Sequence, residues 1–297
     1  MLVAAGHRVV IIDDLSAGRR ENVPAGAELR VGDLADRRLL DELLCDCDAV
    51  LHFAAFTEVG QSMEQPVTHF RNNTAKTIAL LEALLDHRVS RFVFSSTAAI
   101  YGTPRRVPVD EQHPTHPENP YGQSKLMVEQ ALHWLHQRHG FRYASLRYFN
   151  VAGGRSSSRA VNLIPIVLEV AAGRRSHLEI FGSDYPTRDG TAVRDYIHVE
   201  DLASAHLLAL QALERRAPLL CNLGNGIGFT VKEVVEVARR VTGHPIPVRE
   251  VPRRAGDPAE VTASSELAFR ELGWQPRHTR LESIVTSAWE NFAARSG

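Results

Sequence analysis

Short runs of β-branched and apolar residues recur along the first half of the chain, at 8–13 (RVVIID), 48–53 (DAVLHF), 91–96 (RFVFSS) and 143–149 (YASLRYF). Between them apolar positions return every three to four residues, which predicts helices over 35–45, 66–87 and 121–139. Apolar strands alternating with amphipathic helices imply right-handed βαβ units and a parallel sheet covered on both faces. The expected class is therefore α/β, a doubly wound fold.

The rhythm changes near residue 150. A Gly/Ser-rich segment at 153–159 precedes a predicted helix at 163–172, and a loop rich in Gly, Asp and Pro follows at 181–190. Further helices are expected at 199–214, 230–242 and 280–293, with short strands at 219–223 and 246–251. This gives two expected domains. Residues 1–150 form a dinucleotide-binding domain, and 151–297 form a smaller lobe from which some segments return to the main sheet.

Composition excludes several classes. The 297 residues carry a net charge of -1, which offers no general attraction to nucleic acid or to an anionic membrane. The apolar run Val9–Ile12 is too short to cross a bilayer. Three cysteines, two of them separated by a single residue, match neither a redox nor a zinc spacing and read as reduced thiols of a cytoplasmic protein. Fourteen histidines are scattered without an HExxH pair, so no metal site is expected.

The opening of the chain departs from the pattern. A doubly wound nucleotide fold starts with a strand, a glycine-rich turn and a helix. Met1–His7 instead reads as the tail of a helix, with Gly6 at its C-cap. A strand, turn and partial helix of roughly 20 residues are expected upstream. A misplaced start and a truncated product both accord with that opening.

The strongest chemical signal is Tyr121-Gly-Gln-Ser-Lys125. Tyrosine and lysine four apart share a helical face, and an ammonium beside a phenol favours the phenolate. Taken alone the pair also fits a solvated helix surface. Upstream, Ser95-Ser96-Thr97 stands at the expected carboxyl end of a strand, where open α/β sheets bind ligands. A hydroxyl, a tyrosine and a lysine together suggest a proton-transfer site. Asp13 closes the first strand, where a carboxylate accepts bonds from an adenosine ribose and favours NAD over NADP, although Arg19 and Arg20 follow closely.

With Thr97, Tyr121 and Lys125 in place, the chain resembles the extended short-chain dehydrogenase/reductase superfamily, with its Rossmann-type domain. Flanking segments narrow the resemblance to the UDP-glucose 4-epimerase family: HFAAFTEVGQS (52–62), RNNTAKT (71–77), FSSTAAIYG (94–102), NPYGQSK (119–125), LRYFN (146–150), FGSDYPTRDGTAVRDYIHVEDLA (181–203), NLGNG (222–226) and RRAGD (253–257). They run in family order across essentially the whole chain.

The resemblance implies reversible oxidation at the sugar C4 by tightly bound NAD, through a transient 4-keto sugar that turns over before reduction. It makes Thr97 the partner of the 4-hydroxyl, Tyr121 the base, and Lys125 the group that tunes Tyr121 and holds the nicotinamide ribose. It adds Asp33, Leu34, Phe53, Ala54, Ala55, Asn72, Ser95 and Tyr148 as cofactor contacts. Asn150, Asn162, Arg194, Arg254 and Asp257 would hold the UDP-sugar, arginine pairing bidentately with phosphate. A homodimer is also implied. Thr57 stands where some relatives carry lysine, and Thr97 where serine is commoner. Residues 153–162 are shorter than in many relatives and would reshape one wall of the sugar pocket. Val261, near the position that limits sugar size, would admit N-acetylated UDP-sugars. Other nucleotide-sugar epimerases or dehydratases of the superfamily remain the alternative, as does an inactive homologue.

Overall fold

The computed structural model describes residues 1–154, 161–254 and 256–293. Residues 155–160 of the Gly/Ser-rich segment, and with them part of the expected short pocket wall at 153–162, lie outside the described residues. In chain order the first half contains β1 (Val9–Asp13), β2 (Ala27–Val31), α1 (Arg37–Leu44), β3 (Val50–His52), α2 (Val59–Glu64) and α3 (Pro66–His69). Then come α4 (Lys76–Asp86), β4 (Arg91–Thr97), α5 (Pro120–His139) and β5 (Arg142–Tyr148). The second half contains β6 (Asn150–Ala152), α6 (Leu163–Ala171), β7 (Leu178–Phe181), β8 (Val193–His198), α7 (Val199–Ala212) and β9 (Leu219–Leu223). It closes with β10 (Gly228–Thr230), α8 (Val231–Thr242), β11 (Val248–Val251), β12 (Glu260–Val261), α9 (Glu266–Leu272) and α10 (Leu281–Ala293).

The chain folds into two compact units interleaved in sequence. The first comprises Met1–Gly102, Thr115–Arg147 and Ser204–Leu220; the second comprises Thr103–Pro114, Tyr148–Ala203 and Cys221–Gly297. In the first unit β1 and β2 pair in parallel, Val9 opposite Ala27 through Asp13 opposite Val31. A separate sheet runs in the order β3-β4-β5-β9, with β3 and β4 parallel. Among the described residues β1 pairs with β2 alone and β3 with β4 alone, so the edges of β1 and β3 away from those partners carry no strand. All five residues of β1 are only half-buried, although four of them are Val or Ile. The first residues form a short 3-10 turn, Val3–Ala5, and Gly6 ends it with φ +84°, the left-handed cap that its sequence position suggested.

Local chemistry sets the element limits. Asp36 starts α1 by accepting the N–H groups of Arg38 and Leu39. Asn119 does the same for α5 through the Gly122 N–H at 2.8 Å, Pro120 fills its first turn, and Gly140 ends it in the left-handed conformation. Thr230 and Glu233 form a reciprocal capping box on α8.

The stretch expected as one helix over 66–87 is interrupted by a π-helical turn, Phe70–Ala75. Its widened turn carries Asn73 and Thr74, which bond to α5: the Asn73 amide donates to Ser124 Oγ at 3.2 Å, and the Thr74 hydroxyl donates to the Ser124 carbonyl at 3.1 Å. In the first unit, leucines of α1 and α4 and Val128 and Leu132 of α5 bury against Phe92 and Phe94 of β4. The second unit has its own core, where α6, α8 and α10 close over β7 and β8. Among the described residues no helix is long and apolar enough to cross a membrane.

Candidate active site

On α5 the buried side chains fall at 121, 124, 125, 128, 129 and 132, one stripe at helical spacing. Tyr121, Lys125 and Glu129 therefore stack one turn apart along a face shared with Val128, Leu132 and the Asn73-bonded Ser124. That face meets the end of β4. The Lys125 ammonium donates to the Ser95 carbonyl at 2.9 Å and lies 4.8 Å from the Phe94 ring centroid. Burial pushes Lys125 down to about 7, opposed by the carboxylate of Glu129. His52 of β3, equally buried and next to that charge, is pushed down to about 3 and stays neutral against Thr77 Oγ1 at 2.8 Å. It therefore carries no competing proton at neutral pH.

Thr97 closes β4 and is 7% exposed. Its hydroxyl accepts the Ala99 N–H at 3.1 Å and starts the 3-10 turn Ala98–Tyr101. This turn supports the first turn of α5. A Cβ on Gly122 would come within 2.5 Å of the Ala99 carbonyl oxygen and 3.2 Å of Pro117 Cβ. Only glycine lets the helix seat there. Gly122→Ala is thus expected to destabilise the protein by about 1–3 kcal/mol, against the helix-propensity gain of about 1 kcal/mol. It should also lower turnover, because Tyr121 is the adjacent residue. Thermal unfolding and a rate assay on the one variant check both parts.

The expected cofactor contacts of the first unit collect at or just beyond the carboxyl ends of its strands. Asp13 ends β1, and its carboxylate accepts the Leu15 N–H at 2.7 Å. Leu15 is one of two described non-glycine residues with positive φ, at 57°, a strained conformation of the kind that gathers at binding loops. Asp33 and Leu34 follow β2. Asp33 is held below the usual carboxylate range: burial opposes this, but the Lys76 ammonium at 2.6 Å and the Ala35 N–H more than offset it. Phe53, Ala54 and Ala55 follow β3, and the Phe53 ring, 55% exposed, lies 4.8 Å from His206. Ser95 is buried and its hydroxyl meets His206 at 3.2 Å. Asn72 lies in the π turn, bonded to Asn73.

NAD fits this set. Acids stand at the ends of two strands, an exposed ring and small residues follow a third, and a buried lysine and tyrosine stand beside the fourth. Lys76, which fixes Asp33, was not singled out from the sequence; the spacing of 43 residues gives no local signal.

In the second unit the pairing of β7 with β11, Phe181 opposite Val251, brings the loop after one beside the loop after the other. The Arg254 guanidinium lies 3.6 Å from the Phe181 ring centroid, and that of Arg253 lies 4.1 Å from the Tyr185 ring. Gly182, at φ +84°, permits the approach, since a Cβ there would meet Arg253 at 2.6 Å. Pairing of β8 with β12 sets Val261 opposite Arg194. The Arg194 guanidinium, 18% exposed, bonds the Asp257 carboxylate and the Val193 carbonyl. Asp257 links two arginines 60 residues apart in sequence: its N–H donates to the Arg254 carbonyl at 3.3 Å, and its carboxylate accepts from Arg194.

Asn150 starts β6 and is exposed; Tyr148 ends β5 and is half-buried. Asn162 precedes α6 without its side chain capping that helix. Asp195, fully buried, accepts the N–H groups of Asn225, Gly226 and Ala263 at 2.7, 3.0 and 3.0 Å. Burial pushes it up to about 6 despite those donors. It ties the NLGNG loop to β8, a role that its place in the RDYIH motif did not disclose.

Tertiary folding also brings His198, Glu200 and His278 within 4.8 Å of one another, which the sequence spacing did not suggest. The Glu200 N–H donates to His198 Nδ1 at 3.2 Å and the two rings stack at 4.1 Å, so that nitrogen and those ring faces are committed to packing. All three cysteines are free thiols; Cys221 is buried, whereas Cys45 is exposed.

The sequence profile of the NAD dependent epimerase/dehydratase family matches residues 1–224. The chain is 48% identical over 302 residues to a UDP-glucose 4-epimerase of Halalkalibacterium halodurans, covering 97% of this chain and 89% of that one. It is 50% identical over 297 residues to a UDP-glucose 4-epimerase of Streptomyces lividans, covering 97% and 90%. The structure superposes with a TM-score of 0.96 on a UDP-glucose-4-epimerase from Stenotrophomonas maltophila with bound NAD and formylated UDP-arabinopyranose, at 41% identity over 99% of this chain and 93% of that one.

Proposed function

Because the chain belongs to the NAD dependent epimerase/dehydratase family, we propose that it interconverts UDP-galactose and UDP-glucose by inverting C4. The observation that carries this reading is the Tyr121–Lys125 turn of α5, seated on Ser95 and Ala99 beside Thr97, in a chain whose relatives are UDP-glucose 4-epimerases over 97% of its length.

Bound NAD supplies the reversible two-electron chemistry at C4, and the side chains supply proton control. Tyr121 takes the 4-hydroxyl proton on oxidation and returns it on reduction. Lys125, buried one turn away, in its ammonium form stabilises the phenolate that this requires. Thr97 holds the hydroxyl in line. Asp13, Asp33, Leu34, Phe53, Ala54, Ala55, Asn72, Ser95 and Tyr148 hold the dinucleotide. All of these but Tyr148 belong to the first unit, the NAD-binding domain of the proposal; the second is its UDP-sugar lobe. Arg194, positioned by Asp257, and Arg254 neutralise the diphosphate, with Asn150 and Asn162 on the substrate. A dehydratase reading is disfavoured by Ala98 and Ala99, which put no acid after Thr97 for elimination of water.

Incubated with NAD and UDP-galactose, the purified chain is expected to form UDP-glucose, followed by NMR, without net accumulation of NADH. Folded protein that leaves UDP-galactose unchanged under these conditions overturns the assignment. Val261, opposite Arg194, extends the proposal to N-acetylated UDP-sugars. Turnover of UDP-galactose with none of UDP-N-acetylgalactosamine would refute that extension.

A homodimer and a cytoplasmic location complete the reading. Val59, Met63 and Val67 of α2 and α3, and Met127 and Trp134 of α5, leave apolar surface exposed, Trp134 at 70%. A solution mass of twice 32.9 kDa is expected, and a monomer at micromolar concentration contradicts it. Free thiols suit a reducing compartment.

A further inference from the structure

Behind Thr97 lies a buried ion pair that the proposed chemistry does not use. The Arg147 guanidinium of β5 grips the Glu129 carboxylate of α5 with Nε at 3.1 and 3.3 Å and Nη2 at 2.6 Å, and both residues are about 5% exposed. Each partner reaches one step further. Ser96 Oγ donates to Glu129 Oε1 at 2.6 Å, and Arg147 Nη1 donates to the Tyr101 hydroxyl at 2.9 Å. The guanidinium carbon also lies 5.2 Å from the Tyr101 ring centroid.

The segment around Thr97 is therefore held at four points. Ser95 is fixed by Lys125, Ser96 by Glu129, Ala99 by the bare face of Gly122, and Tyr101 by Arg147. Three of these anchors, Gly122, Lys125 and Glu129, belong to α5, the helix that carries Tyr121 in its first turn. A buried charge pair is a poor source of net stability, because desolvation offsets most of its attraction. Its geometry, fixed by a bidentate fork and two further hydrogen bonds, is what it supplies.

We propose that Glu129 and Arg147 are positioning residues for the reaction: by fixing Ser96 and Tyr101 on either side of Thr97, they set the Thr97 hydroxyl in register with Tyr121. The proposal rests on the reading of Thr97 and Tyr121 as the reacting pair. A displacement of about 1 Å in such a register costs up to about 10²-fold in rate.

Ser96→Ala and Tyr101→Phe each remove one outer hydrogen bond and leave the ion pair whole, so both variants should fold. For UDP-galactose with NAD present, each is expected to lower kcat about tenfold, with KM and bound NAD changed less than twofold. Because both act through the same pair, the double variant should lose less than the product of the two single losses. A purely structural role would lower the melting temperature and leave kcat of the folded protein unchanged; that result, or a loss confined to KM, overturns the proposal. Wild-type protein is assayed alongside. If it does not turn over UDP-galactose, the epimerase reading itself fails; if it does and both variants match it in kcat, only the positioning role fails.

Discussion

Replacing Tyr121 by phenylalanine is expected to lower kcat for UDP-galactose by about 10²–10⁴-fold, the range typical for loss of a positioned general acid–base group. The phenyl ring keeps the packing at the start of α5, where Tyr121 is 8% exposed, so the fold should survive. The substitution removes only the oxygen that exchanges a proton with the sugar. Lys125 is one turn away on the same face and donates to Ser95. Its contribution is charge rather than proton transfer to the substrate. The melting temperature and the NAD content of Tyr121→Phe should therefore match wild type while turnover collapses. Retention of more than a tenth of wild-type kcat would remove Tyr121 from the proposed role.

The second large effect falls on stability. Arg147→Met removes the counter-charge of Glu129, which is 6% exposed, and leaves a carboxylate in the core that still accepts from Ser96 Oγ. Breaking one side of a buried pair costs about 3–5 kcal/mol, because the surviving charge has lost both water and its partner. Denaturant unfolding of wild type and variant measures this directly. The same principle predicts the repair: adding Glu129→Met to Arg147→Met should recover most of the loss, since an apolar pair of similar volume carries no stranded charge. A single variant as stable as wild type would mean that Glu129 finds another partner or takes up a proton at little cost.

The sequence carried the chemistry that local spacing can express. Tyr121 and Lys125 are one helical turn apart, and a helix places such residues on one face whatever surrounds it. Asp13 and Thr97 close apolar runs, which the structure shows as strand ends, and strand ends are where this fold class binds ligands. Helix limits were legible where caps fix them, as at Asn119, Gly140 and Thr230. The same stripe extends to Glu129, another four residues on, yet a carboxylate there reads equally well as a solvated helix face.

Tertiary structure decided which of those readings held. Glu129 is buried because β5 brings Arg147 to it across 18 residues, and Asp33 is paired because α4 brings Lys76 across 43. Arg194 and Asp257 meet through the pairing of β8 with β12, and Asp195 becomes a three-donor anchor only when the loops at 225–226 and 263 close on it. The π turn at Phe70–Ala75, and strands as short as β10 and β12, have no periodicity of their own. Neighbours distant in sequence stabilise them. Periodicity encodes which face of an element is apolar; it does not encode what that face meets. The charges that must be neutralised in the core are therefore set by contacts made only on folding.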